Sequence, residues 1–330
     1  MFGVTWAPDG EHLLAETGDP SAGLYIEGTY LIDVDGQAIR WYPSLALGVW
    51  IDNEHFILYS SSTTGVSADF TPDKAWLADT AGSDAQRVDM PVGTYSALEN
   101  HHAAAAIDFV RGVRVGLVRQ DFVVWSGGIS SQPHDGYPSN WTLDGSKLAV
   151  IHKCTEMGCQ GYLEVVSWPG LQTIFEPDPP EQLGDFAFDP TGQYVAYAHL
   201  DPSTDFGYVN RVVTLATGSY VDLRSIYGPG YYWANGYLNM DDGKSVHEFD
   251  TQGELVASTP APGQIAESSA DGSTVLFSND EPATSLVVQR GGVLTPVELP
   301  TSDFYHPGWL SQDGSAIALA SERSIFIRRL

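Results

Sequence analysis

An imidazole followed by a carboxylate is a small unit from which a general base can be built, and His134-Asp135 supplies one. The pair sits in SGGISSQPHDGYPS (126–139), where Pro133 and Gly136 explain the same residues as turn chemistry. Both readings stand. Carboxylates crowd other polar stretches as well: Asp19, Asp69, Asp73, Glu156, Asp201, Asp205, Asp241, Asp242, Asp280 and Glu281. Hard oxygen ligands converging from several loops suit Ca2+. Neither Asp33-Val-Asp35-Gly36 nor Asp241-Asp242-Gly243 has the alternating ligands and closing glutamate of an EF-hand loop, so a calcium site is left open and no other cofactor is indicated. Tyr137, Tyr227, Tyr231, Tyr305 and His306 lie in or beside the same kind of stretch, and aromatic rings next to carboxylates fit a peptide or a sugar. The chain has no G-x-S-x-G elbow, no H-E-x-x-H and no Walker loop, and SADGST at Ser269 only partly matches a sialidase Asp box. His101-His102 reads as a surface pair at a turn. No catalytic residue is assigned.

Elements that would hold these side chains are visible as a repeat. An aromatic or apolar residue, two spacers, Asp-Gly or a substitute, and an apolar strand recur in WAPDGEHLLAE (from Trp6), WTLDGSKLAVIH (from Trp141), FDPTGQYVAYAH (from Phe188), SADGSTVLFSND (from Ser269) and LSQDGSAIALAS (from Leu310). Weaker copies start at Val49, Ala97 and Tyr232. Asp-Gly and Asn-Gly favour two-residue hairpin turns with both central residues at positive φ. Turn starts at Asp9, Asn53, Asn100, Asp144, Thr191, Asn235, Asp271 and Asp313 are 36–47 residues apart, the length of a four-stranded propeller blade. A second turn follows in most units, at Asp35-Gly36, Ala81-Gly82, Pro169-Gly170, Thr217-Gly218, Gln252-Gly253 and Gly291-Gly292. Each unit thus reads as strands A and B around the first turn, then C and D around the second.

The expected fold is all-β: one β-propeller domain of four-stranded antiparallel blades, eight in number with seven as the alternative. The blades span roughly 1–43, 44–91, 92–126, 137–177, 183–224, 230–259, 262–299 and 303–330, the last ending at strand C. In this scheme the B–C and D–A loops gather at one end of the ring. They bring the loop acids together with the candidate binding face: His134, Asp135, Tyr137, Asp201, Asp205, Tyr227, Tyr231, Tyr305 and His306.

The W-x-P-D-G phrase followed by an apolar strand resembles the TolB-type, WD40-like bacterial propeller repeat, over essentially the whole chain. That resemblance implies a periplasmic or secreted binding platform and carries no catalytic residues. The Gly-His and Trp-Asp dipeptides of true WD40 repeats are missing from their usual places.

Charge narrows the partners. With 42 acidic and 15 basic residues and a net charge of −27, the surface repels phosphate, which argues against nucleic acid and anionic membranes. No apolar stretch is long enough to span a bilayer, and the first residues lack a basic and apolar leader. Cys154 and Cys159 flank a short glycine-containing loop in HKCTEMGCQGY, a spacing that admits a disulfide and hence an oxidising, extracytoplasmic compartment; free thiols and a metal pair are the other readings. The function expected is a non-enzymatic extracytoplasmic platform offering an acidic, aromatic loop face to a protein, peptide or glycan. A hydrolase or lyase at the channel mouth, and a structural module of a larger surface assembly, are the alternatives. The incomplete last blade favours the module.

Overall fold

The computed structural model describes residues 3–19, 25–50, 52–60, 75–88, 95–98, 103–108, 112–118, 123–129, 136–142, 146–152, 162–167, 172–177, 183–201, 203, 208–223, 231–278, 285–298, 308–320 and 324–330. Among these residues there is no helix. The strands form seven four-stranded sheets and one three-stranded sheet, each an antiparallel meander in sequence order. Numbered along the chain, sheets 1 to 8 span 3–43, 45–88, 95–129, 136–175, 183–223, 231–260, 264–297 and 309–329. Two compact units contain them: Met1–Pro138 with Asp303–Leu330, and Ser139–Ser302.

The turns depart from the expected two-residue geometry. In sheets 1, 5, 7 and 8 the A–B loop has four residues, closed by Ala7 N–H to His12 O, Asp189 N–H to Tyr194 O, Ser269 N–H to Thr274 O and Ser311 N–H to Ala316 O, at 2.8–3.1 Å. Only the glycine of each loop takes positive φ: Gly10, Gly192, Gly272 and Gly314, at 66–71°. A left-handed aspartate would place its Cβ against the next carbonyl at about 1–2 kcal/mol. The aspartate instead stays right-handed and uses its carboxylate to hold the N–H two residues on: Glu11 on Asp9, Ser273 on Asp271 and Ser315 on Asp313, at 2.9–3.0 Å. Paired positive φ values, which mark the two-residue turn, occur at Asn235-Gly236 (53° and 82°) and Gly291-Gly292 (55° and 79°).

A second polar clamp lies beneath these loops. In sheets 4, 5, 7 and 8 the polar side chain two residues before the turn-starting residue accepts the N–H opening strand B, whereas sheet 1 has Ala7 there. Thr142 takes Lys147, Ser269 takes Thr274 and Ser311 takes Ala316, at 2.9–3.0 Å, while Asp189 takes Tyr194 at 2.6 Å. All four acceptors are buried, so the hairpin's last inward N–H is satisfied without water.

Sheets stack face to face within each unit. In the first unit Leu14, Leu31 and Tyr42 of sheet 1 pack on Trp50, Phe56 and Leu58 of sheet 2. The other side of sheet 1, through Val4, Trp6, Leu13 and Ala15, packs on Ala316 and Ala318 of sheet 8. In the second unit, sheet 6 is held between sheet 5 (Ala196, Val212, Leu223) and sheet 7 (Val275, Phe277) in the same manner. One hydrogen bond recurs between neighbours: a tryptophan at the end of strand A donates its indole N–H to a strand A carbonyl of the preceding sheet. Trp50 donates to Thr5 (3.2 Å), Trp233 to Ala187 (3.3 Å) and Trp6 to Trp309 (3.0 Å). Thr5, Ala187 and Trp309 occupy one position of the repeat, two residues before the N–H that closes the four-residue loop. Sheet 8 therefore stands to sheet 1 as sheet 1 stands to sheet 2. A bidentate Arg329–Glu11 pair (2.9 and 3.0 Å) joins the same two sheets at the surface.

Candidate functional site

Of the expected binding face, His134, Asp135, Asp205, Tyr227, Tyr305 and His306 lie outside the described residues, as do Cys154 and Cys159. Tyr137 is placed on strand Gly136–Trp141 and Tyr231 on strand Tyr231–Ala234, whose backbone pairs Tyr231 with Met240. Asp201 directly follows strand B of sheet 5 (Tyr194–Leu200); its Oδ1 accepts both the N–H (2.9 Å) and the hydroxyl (2.6 Å) of Ser203, so part of its capacity goes to the turn. Among the described residues no three His, Cys, Asp or Glu side chains group as metal ligands, and no helix is long and apolar enough to cross a membrane.

The B–C turn of sheet 6 is the loop acid pair that can be followed atom by atom. Strand Tyr237–Asp241 ends with Asp241 pointing inward and fully buried. Its Oδ1 accepts Gly243 N–H (2.9 Å) and its Oδ2 accepts Ile265 N–H of sheet 7 (3.0 Å). Burial raises its pKa above the ordinary carboxylate value, and the two backbone donors pull against that rise. Asp241 is thus a bracket between two sheets rather than a ligand offered to solvent.

Asp242, the next residue, faces the other way, as alternation along an extended chain demands. Its Oδ1 accepts Lys244 N–H (2.9 Å) and Ser245 N–H (2.8 Å), which fixes the carboxylate. Oδ2 lies 3.1 Å from Nε2 of His247, a close polar contact. The contact with His247, then the two N–H groups, hold the Asp242 pKa down at about 2. On its other side, His247 Nδ1 is 2.9 Å from Oγ of Ser258 on strand Leu255–Pro260. Ser258, His247 and Asp242 therefore form one connected chain of polar atoms. Sequence reading missed it because its members are 5 and 11 residues apart on three different elements; only the strand register brings them together.

No protein-family model matches this chain, and no curated protein matches it in sequence. Solved structures do. Sqt1 of Chaetomium thermophilum superposes with a TM-score of 0.60 at 12% identity, over 99% of this chain and 94% of that one. Dipeptidyl peptidase 4 of Porphyromonas gingivalis gives 0.60 at 11% identity, over 96% of this chain and 55% of the peptidase. Raptor of Chaetomium thermophilum gives 0.54 at 9% identity, over 99% of this chain and 28% of Raptor. The chain thus spans about half of the second protein and little more than a quarter of the third. At such identities the likeness is one of fold: a propeller-type, WD40-like arrangement of four-stranded sheets.

Proposed function

We propose that the eight sheets are the blades of one closed TolB-like ring, and that the protein is an extracytoplasmic platform whose B–C and D–A loop end captures a partner protein through a basic, extended segment. The observation that carries this reading is the repeated indole bond. Because Trp6 reaches Trp309 as Trp50 reaches Thr5, the ends of the chain meet with the same geometry as interior neighbours, and loops mounted on such a frame are preorganised. Net charge of −27 supplies attraction for a basic partner and raises the encounter rate at low salt. Tyr137 and Tyr231, each at or next to the start of a strand A, together with Tyr227 and Tyr305, supply anchors of low rotamer entropy. A disulfide between Cys154 and Cys159 is proposed with it, in keeping with an oxidising compartment.

Panning a displayed random-peptide library on the full chain tests this. Lysine- and arginine-rich peptides carrying an aromatic or apolar residue are expected to enrich. Their affinity is expected to fall at least ten-fold in a variant with Tyr137, Tyr231 and Tyr305 changed to alanine, and again at half-molar salt. Absence of enrichment, or equal binding to the triple variant, would sink the reading.

A further inference from the structure

We propose that Ser258, His247 and Asp242 constitute an acyl-transfer site on the last two strands and the B–C turn of sheet 6, able to cleave small esters and using none of the tyrosines proposed to hold a partner. The juxtaposition follows from strand register. Strands Ser245–Phe249 and Leu255–Pro260 pair antiparallel with His247 directly opposite Ser258. Ala261 N–H bonds to Lys244 O (2.8 Å), which fixes the alternation: the 246/259 pair exchanges hydrogen bonds, and the 247/258 pair falls between, where side chains approach most closely. The same phase turns the N–H of Ser258 away from its partner strand. Leu255–Pro260 is the last strand of its sheet, so that N–H points to an open edge.

Roles can be read from the contacts. Asp242 is held by two backbone N–H groups and stays ionised, so it draws the imidazole proton to Nε2. Nδ1 is then left as an acceptor facing the Ser258 hydroxyl, which is the tautomer a general base needs. This is the serine–histidine–aspartate division of labour with the two ring nitrogens exchanged. The imidazole is sheltered, with 14% of its side chain exposed, while Ser258 itself is open to solvent. Leu255 and Val256, 54% and 52% exposed, sit at a bulge three and two residues away and offer an apolar surface to an acyl group.

The chemistry balances within these groups. Ser258 Oγ attacks the ester carbonyl as its proton passes to His247 Nδ1, and the Ser258 N–H stands beside the oxygen that gains charge. The C–O bond breaks and the alcohol leaves with the proton from Nδ1. Water then gives a proton to Nδ1 while its oxygen attacks the acyl carbon, and Ser258 departs with that proton restored.

A fluorophosphonate probe reads the site directly, because Ser258 Oγ would bond to phosphorus with loss of fluoride. Incubation of the full chain is expected to give a single adduct, placed on Ser258 by tandem mass spectrometry. Ser258→Ala should abolish it. His247→Gln and Asp242→Asn should each slow it at least ten-fold with melting temperatures unchanged, and hydrolysis of p-nitrophenyl acetate should fall in parallel. Asparagine keeps the oxygen acceptor for Lys244 and Ser245, so the turn survives in that variant. No adduct, an adduct elsewhere, or labelling indifferent to His247→Gln and Asp242→Asn would overturn the proposal. The peptide test changes only Tyr137, Tyr231 and Tyr305, none of which this readout touches, so either reading can fail alone.

Discussion

Gly272→Ala is expected to destabilise the protein by about 2–5 kcal/mol in urea unfolding. Two costs combine. Gly272 has φ of +70°, where a Cβ costs about 1–2 kcal/mol. That Cβ would also fall inside the contact radius of the Trp233 carbonyl oxygen, in the neighbouring sheet. Backbone cannot yield as a flexible side chain does, and overpacking of this kind adds about 1–3 kcal/mol. Gly36→Ala is the matched control: φ is +84°, nothing lies within 4 Å of the added carbon, and only the conformational cost of about 1–2 kcal/mol should appear. Equal losses in the two variants would mean that sheets 6 and 7 do not approach each other at this glycine.

Asp241→Ala is expected to cost about 3 kcal/mol. Two N–H groups, of Gly243 and Ile265, would lose a charged acceptor, each bond contributing about 1.5–3 kcal/mol. Relief from burying a carboxylate returns part of that loss. Asp241→Asn should fall between, since an amide keeps one acceptor oxygen and turns an N–H toward the other donor. A neutral Asp241→Ala in urea unfolding would show that the B–C turn of sheet 6 is not bracketed to sheet 7.

Much of the architecture could be read from residue order. The apolar runs after Asp9, Thr191, Asp271 and Asp313 are strands B, and the glycines beside those residues are left-handed turn residues. Loop size could not be read, because an Asp-Gly pair suits both a two-residue and a four-residue loop. The choice depends on which residue first faces the partner strand, and at Ser269 and Ser311 that residue carries a buried hydroxyl clamp. A small polar residue two places before the aspartate is a usable signal for it. The Asp241-Asp242 doublet shows the opposite limit. Both residues read as loop acids, yet one is sealed between sheets and the other holds a histidine, because strand parity separates consecutive side chains. The Ser258–His247 meeting was illegible for a related reason: a bulge between Glu248 and Phe249 shifts the register by one, and composition alone does not locate it.

The meeting of sheets 8 and 1 is tested most directly by hydrogen exchange, comparing the full chain with one ending at Pro300. Removing sheet 8 deletes no residue of sheet 1, but it strips the cover from Val4, Trp6, Leu13 and Ala15 and the acceptor from the Trp6 indole. Amides of strands Gly3–Trp6 and His12–Asp19 are expected to exchange at least ten-fold faster in the shortened chain. Unchanged protection there would mean that sheets 8 and 1 do not support each other, and the proposed ring would have to be abandoned.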